Sequence, residues 1–400
     1  MSDPAAYTDI YNSPYKMLKD PGLYRDAFQF GIPPNSGTVC DPKIHSALKS
    51  LIASYFSRKN ILKLEDIIQE RVSARFPAVY LLELMEGQVD RLISQLVQNH
   101  RSTPANMTLA FRSVALDVIS LYTLRTSTDT TSFPAFSHPR VIGTEETVSV
   151  IWMTKHLTFL KHLALRLPSW LAVYISPAAK PHLEIQAEME NAIDEATAYS
   201  ESKLAGGHHD QDDDDDVDRL NIFYAILRNS RVEGKLKYPG LVTKDQMISE
   251  AFGLRIAGSD TIANACMIGT RYLIQEDGVR EKLAKELETA WPDRRSRIPL
   301  ERLEKLPYLT AVIKESLRFS SGIVTPMTRV APESGAVIAG HPVPPGTVVS
   351  IGNTFVHMNL SIFPEPKRFY PERWLDEKNH NLDQYLVAFG KGPRSCLGIK

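Results

Sequence analysis

A large, mainly α fold is what the sequence predicts. Two observations carry it. Apolar residues recur at helical spacing in the longest patterned segments, 243–265 and 306–318, and 400 residues that are 43% hydrophobic with a net charge of −1 suit one large helical enzyme core. The balanced charge offers no basic face for nucleic acid. A single domain over 1–400 is expected, since one deep core holds a chain of this length. Cys40, Cys266 and Cys396 supply neither a disulfide framework nor a Cys-x-x-Cys metal spacing, so a reducing compartment is the simpler reading. The first residues are polar and no charge-free apolar run approaches about 18 residues, so no signal peptide or anchor is visible.

Taken in chain order, His45 and Lys49 of Asp41-Pro-Lys-Ile-His45-Ser-Ala-Leu-Lys49 are spaced one helical turn apart, which would put them on one face of a helix. Residues 141–200 place Trp152, Phe159, Leu160, Leu163, Leu165, Leu167, Trp170, Leu171 and Tyr174 among Lys155, Lys161 and Arg166, around Pro168 and Pro177. That pattern fits two ordinary core helices or an amphipathic surface against a membrane. Residues 206–218 contain five consecutive aspartates, Asp212 to Asp216, and read as a disordered acidic loop where His208 and His209 would hold a metal only loosely. Thr243 is placed to cap a helix carrying Met247, Ile248, Ala251, Phe252 and Ile256. Gly258 inside it costs about 1 kcal/mol and calls for a reason; the plain alternative is a break, with Ser259 or Asp260 capping a second helix.

Pro307 suits the first turn of a helix whose apolar stripe is Leu309, Val312, Ile313 and Leu317, with Glu315 and Arg318 together on one face. Alone, such a pair is a surface ion pair contributing about 0 to 1 kcal/mol. Thr354-Phe-Val-His357-Met-Asn reads as strand to turn, with a packing or hydrogen-bonding role for His357.

The sharpest signal is Phe389-Gly-Lys-Gly392-Pro-Arg394-Ser-Cys396-Leu-Gly398. A deprotonated Cys396 sulfur can bind iron and push electron density into it, which favours O–O cleavage. Gly392 and Gly398 allow tight turns that aim main-chain N–H groups at the sulfur, Phe389 packs beside a flat apolar group, and Arg394 reaches an acidic one. The pattern Phe-x-x-Gly-x-Arg-x-Cys-x-Gly resembles the cysteine-ligand loop of the cytochrome P-450 superfamily of haem monooxygenases. It is most similar to the fungal trichodiene-oxygenase-like members in the run Leu306-Pro-Tyr-Leu-Thr-Ala-Val-Ile-Lys-Glu-Ser-Leu-Arg318, then Arg329-Val-Ala-Pro, then Tyr385-Leu-Val-Ala-Phe-Gly-Lys-Gly392.

The resemblance implies the cytochrome P-450 fold, mainly α with small β-sheets, with haem b (iron protoporphyrin IX) as cofactor and Cys396 as its axial iron ligand. Glu315 and Arg318 would close a buried triad with Arg373 of Pro371-Glu-Arg-Trp. Ala257-Gly258-x-Asp260-Thr261 would open a groove on the distal side, where Thr261 is the distal hydroxyl and Asp260 its link to a proton supply, the general-acid role of the reaction. The segment from Asp41 to Phe56 resembles the family's third helix, and Arg394, His45, Lys49 and Arg329 would reach the propionates, Lys49 as a point charge where the family more often has arginine. The implied activity is insertion of one atom of O2 into an apolar small molecule, in fungal secondary and commonly terpenoid metabolism. Electrons would come from an NADPH-cytochrome reductase type flavoprotein, for which Lys391 and Lys400 are docking charges. Family members sit on the cytosolic face of the endoplasmic reticulum. Against that pattern, the anchor and first sheet at the front and the helix after the cysteine loop are expected to be lacking. The alternatives are a truncated, inactive haem-thiolate homologue, and a haem-thiolate isomerase or dehydratase that needs no reductase.

Overall fold

The structure is a computed structural model that describes residues 3–25, 32–62, 77–126, 128–143, 157, 159, 163, 166–175, 179–205, 221–232, 235–293, 296, 298–376 and 381–399. Its principal helices are α1 (Ala5–Tyr11), α2 (Pro42–Ile52), α3 (Pro77–Asn99), α4 (Met107–Leu124), α5 (Ala179–Ala205), α6 (Ile222–Asn229), α7 (Lys244–Gln275), α8 (Asp277–Ala290) and α9 (Pro307–Ser320). The strands, each of two or three residues, are β1 (Leu18–Lys19), β2 (Arg231–Val232), β3 (Lys235–Leu236), β4 (Arg329–Val330), β5 (Ala336–Ile338), β6 (His341–Val343) and β7 (Val348–Val349). The chain is therefore mainly helical with small sheets. It divides into two compact units, residues 21–260 and residues 1–20 with 261–399; α7 runs through the boundary. The acidic stretch 206–218, with His208 and His209, lies outside the described residues, as do Trp152, Lys155, Leu160, Lys161, Leu165 and Lys400.

In the unit of residues 21–260, polar side chains start the helices where the sequence supplies them. Asp41 accepts from the backbone N–H groups of Lys43 and Ile44 at 2.7 and 2.9 Å, Pro42 occupies the first turn, and α2 buries Ala47, Leu48, Leu51 and Ile52. Asn106 caps α4, and Asn221 caps α6 while donating to the Ala192 carbonyl of α5 at 3.0 Å. Helix α4 is long and apolar enough to cross a membrane by length and composition, yet over half of it is buried within the protein. Its Asp117, fully buried, accepts from the backbone and hydroxyls of Thr130 and Thr131 and from the Thr128 hydroxyl.

Thr243 caps α7 as expected, its Oγ accepting from Gln246 N–H at 3.2 Å. The helix then continues through Gly258 without interruption, so the alternative of a second helix capped by Ser259 or Asp260 is not formed; Ser259 is buried and its hydroxyl donates back to the Ile256 carbonyl at 3.4 Å. The reason for the glycine is a neighbour: a Cβ at 258 would lie 2.7 Å from Cγ1 of Ile119 on α4. The propensity cost is accepted for a close helix crossing.

The other unit is built on an antiparallel sheet in the order β1-β4-β7, with Lys19 opposite Arg329 and Arg329 opposite Val349, and on the β5–β6 hairpin. Helix α1 packs there through Ala6, Tyr7 and Ile10, in a core that includes Ile338, Val343, Ile351, Val356 and Val387. A second core joins Leu283 of α8, Tyr308 and Val312 of α9, and Phe369, on which Tyr272 stacks with centroids 4.5 Å apart. Helix α9 begins at Pro307 with no cap from its own chain neighbour. Instead the Glu286 carboxylate of α8 accepts from Tyr308 and Leu309 N–H, both at 2.8 Å, placing negative charge where the helix dipole is positive. The apolar stripe of α9 is not the one periodicity drew: Ile313 is half exposed, and the buried face carries Tyr308, Ala311, Val312, Glu315, Ser316 and Arg318. His357 ends a short helix, Asn353–His357, rather than a strand.

Candidate active site

Cys396 sits near the end of a loop whose shape is set by glycines and backbone bonds. Val387 is buried, Gly390 N–H donates to the Val387 carbonyl at 2.9 Å, and Cys396 N–H donates to the Phe389 carbonyl at 2.8 Å, closing the loop on itself. Gly390 and Gly392 have φ of +68° and +73°, where a side chain is strained. Gly392 also has no room for one, since its Cβ would lie 2.3 Å from the Tyr11 carbonyl oxygen. Gly398 differs from expectation: its φ is −85°, which any residue adopts, and a Cβ there would meet only Cys396 Sγ at 4.0 Å. Within its short 3-10 turn, Leu397–Ile399, that position leaves the surroundings of the sulfur open and does not require a glycine backbone. Cys396 is exposed, with Phe389 and Arg394 half-buried on the same loop.

The support beneath α9 is a charge network closed off from solvent. Glu315 and Arg318 are fully buried and Arg373 is 4% exposed. Arg318 grips the Glu315 carboxylate with Nε at 2.9 Å and Nη2 at 2.8 Å, and Arg373 Nε reaches it at 3.2 Å. The carboxylate also accepts from Tyr370 N–H at 3.0 Å and from the Trp374 indole at 2.9 Å. Arg318 Nη1 spends its remaining donors on the carbonyls of His357 and Pro366, both at 2.8 Å, and Arg373 Nη1 on that of Pro364 at 2.8 Å. The surface-pair reading of Glu315 and Arg318 is thus overturned, because every buried charge here has bidentate or multiple partners. Trp374 is a member that sequence reasoning passed over; its signal was its place next to Arg373 in the same short segment.

On α7, the Asp260 carboxylate is held by Arg112 of α4, Nε to Oδ1 at 2.8 Å. Nothing local in the sequence marks Arg112, because the pairing depends on how α4 crosses α7. Thr261 follows and is half-buried. His45 and Lys49 lie one turn apart on α2, both half-buried. Arg329 is 7% exposed; its Nη1 bonds to the carbonyls of Met327 and Thr328 at 3.2 and 3.0 Å, and its guanidinium lies 5.0 Å from the Tyr11 ring centroid.

A second unforeseen feature fastens residues 33–39 to the first half of α7. Ser249 Oγ and Gln246 Nε2 donate to the carbonyls of Pro33 and Pro34 at 2.5 and 3.0 Å, and Asn35 Nδ2 donates to the Ser249 carbonyl at 3.2 Å. Ser36 gives its N–H to Glu250 Oε1 at 2.6 Å and its hydroxyl to Oε2 at 2.8 Å. Burial pushes the Glu250 carboxyl up to about 7, against the pull of these donors.

Residues 69–400 match the family Cytochrome P450, and the chain belongs to that family. Over 398 residues it is 30% identical to the cytochrome P450 monooxygenase flvC of Aspergillus flavus, covering 98% of this chain and 66% of that protein. It is 27% identical to the cytochrome P450 monooxygenase ankB of Aspergillus thermomutatus over 100% of this chain and 70% of the relative, and 27% identical to the conidiogenone synthase of Penicillium rubens over 100% and 73%. The chain thus spans about two thirds to three quarters of the length of these relatives. The family is one of haem-thiolate oxidoreductases that incorporate molecular oxygen, so haem is the cofactor and a redox partner, O2 and a substrate are required. The residues present fit haem: one exposed thiol on a glycine-shaped loop, with the position beside its sulfur left without a side chain.

Proposed function

We propose that this chain carries the catalytic frame of a fungal secondary-metabolism monooxygenase acting on an apolar, terpenoid-like small molecule. The balance is R–H + O2 + 2 e⁻ + 2 H⁺ → R–OH + H2O, with the electrons supplied by an NADPH-dependent flavoprotein reductase. Haem, when bound, supplies the oxygen-activating chemistry. The chain's own residues do the rest. Cys396 would hold the cofactor as its thiolate, Phe389 and Arg394 would pack and pair around it, Gly392 keeps the loop in shape, and Gly398 leaves room beside the sulfur. His45, Lys49 and Arg329 are the cations assigned to its acidic side chains. Thr261 would deliver a proton from its hydroxyl and Asp260 would relay it, its carboxylate fixed by Arg112.

The observation that carries this reading is the loop that presents Cys396 outward, in the same structural unit as a fully satisfied Glu315–Arg318–Arg373 network. A rigid support of that kind serves a ligand whose position must not drift. The exposed Phe159, Leu163, Trp170, Tyr174 and Ile175 support contact with a membrane surface in this span, consistent with a substrate that partitions into lipid.

The experiment is turnover of the haem-loaded chain with a flavoprotein reductase, NADPH and a panel of terpene hydrocarbons. Thr261→Ala is expected to keep NADPH consumption but divert it to peroxide, with product falling by about tenfold or more. Unchanged coupling in that variant removes Thr261 from the proton path.

A further inference from the structure

The buried charge network and the cysteine loop meet at one residue that the proposed mechanism does not use. His357 is fully buried at the end of the short helix Asn353–His357. Its carbonyl accepts from Arg318 Nη1 at 2.8 Å, so its backbone is fixed by the triad. Its ring Nε2 accepts from the backbone N–H of Val387 at 2.9 Å, two residues before Phe389. Burial and the Arg318 guanidinium push the imidazole down to about 3, so it is neutral throughout the physiological range. With Nε2 accepting, the proton belongs on Nδ1, which has no hydrogen-bond partner among the described residues.

A buried imidazole that leaves one nitrogen unsatisfied in order to accept one backbone proton is expensive as packing alone. The ring is also wedged edge-on against Phe363, centroids 6.4 Å apart, which fixes its plane. On the loop side, Val387 is anchored further by Tyr7 Oη, 3.5 Å from its carbonyl, and by Gly390 N–H on the same oxygen. Ala388 backs onto Gly322, where a Cβ would fall 2.5 Å from the Ala388 oxygen.

We infer that His357 is a positioning residue: through Arg318 on one side and Val387 N–H on the other, it sets the height of the 387–396 loop and so the placement of the Cys396 sulfur. The inference rests on Cys396 being the iron ligand, but the contact itself does not. The acceptor nitrogen, rather than the ring, carries the function.

Two variants separate those roles. His357→Phe keeps a ring of similar shape and loses the acceptor, whereas His357→Gln keeps an acceptor and loses the ring. Amide hydrogen exchange of the haem-loaded chain is read for the peptide spanning 385–396, with α9 peptides as internal reference, together with the fraction of the thiolate-type Soret band of the reduced carbon monoxide adduct. His357→Phe is expected to speed exchange in 385–396 by about fivefold or more relative to α9 and to lower the thiolate fraction, while His357→Gln stays near wild type. The inference is overturned if His357→Phe matches wild type in both readouts, if the Gln variant shows the larger local defect, or if exchange rises equally in α9. Failure of both variants to fold also overturns it, since the residue is then a requirement of the core. Failure of the Phe variant alone, with Gln folded and protected, agrees with it. A wild-type chain lacking the thiolate band refutes the ligand assignment instead, and the exchange data still judge the contact.

Discussion

Replacing Glu250 by Gln should make the chain more stable at alkaline pH and remove part of its pH dependence. Glu250 is 3% exposed, and its carboxyl is raised from 4.5 to about 7 because burial outweighs the donors from Ser36 and Gln246. An acid whose folded value lies above its unfolded value binds its proton more tightly in the folded state, so its contribution is fully present below about pH 4.5 and is lost as the pH rises through about 7. The full shift corresponds to about 3 kcal/mol, of which about 2 kcal/mol falls between about pH 5.5 and about pH 8. Gln has no charge to desolvate. Its Oε1 can accept from Ser36 N–H, and the Ser36 hydroxyl can turn to accept from Nε2. Urea midpoints of wild type and Glu250→Gln, measured side by side with haem bound across that range, should diverge as the pH rises, with the variant ahead at pH 8. Parallel curves, or a variant weaker than wild type at pH 8, would refute the reasoning.

Gly392→Ala should add about 1 to 2 kcal/mol of backbone strain at φ +73° as well as a clash with the Tyr11 carbonyl; near-UV spectra and haem content should show loss of the cysteine loop with far-UV helix signal retained. Glu315→Gln leaves Arg318 and Arg373 buried without their counter-charge and should cost about 3 to 5 kcal/mol, seen as insoluble or haem-free protein in expression trials. Glu286→Ala removes the acceptor of the first N–H groups of α9 and should lower the urea midpoint by the equivalent of about 1 kcal/mol, with the Soret band unchanged.

What was legible in the sequence was whatever local chemistry dictates. Thr243 named its helix start because caps act within one turn. The spacing of Glu315 with Arg318 put the two on one face, but their burial depends on Arg373 and Trp374 from a later segment, and the tightness at Gly392 depends on Tyr11. The rest is set by pairing across long stretches of chain. Arg112 meets Asp260, Ser36 meets Glu250, Glu286 starts α9 and His357 meets Val387 only because helices cross or loops dock at particular points. Periodicity misplaced the stripe of α9 at Ile313 because it counts buried polar residues as solvent-facing, and here Glu315 and Arg318 are the most deeply buried groups on that helix. Gly258 was noticed as an anomaly, but its partner Ile119 could not be read from either segment.

The most direct test of the central claim is the reduced, carbon monoxide-bound absorbance spectrum of the haem-loaded chain beside that of Cys396→Ala. A strongly red-shifted thiolate Soret band in the wild type that disappears in the variant is the predicted result. A wild-type spectrum typical of a neutral ligand, or one that survives the loss of Cys396, would contradict it.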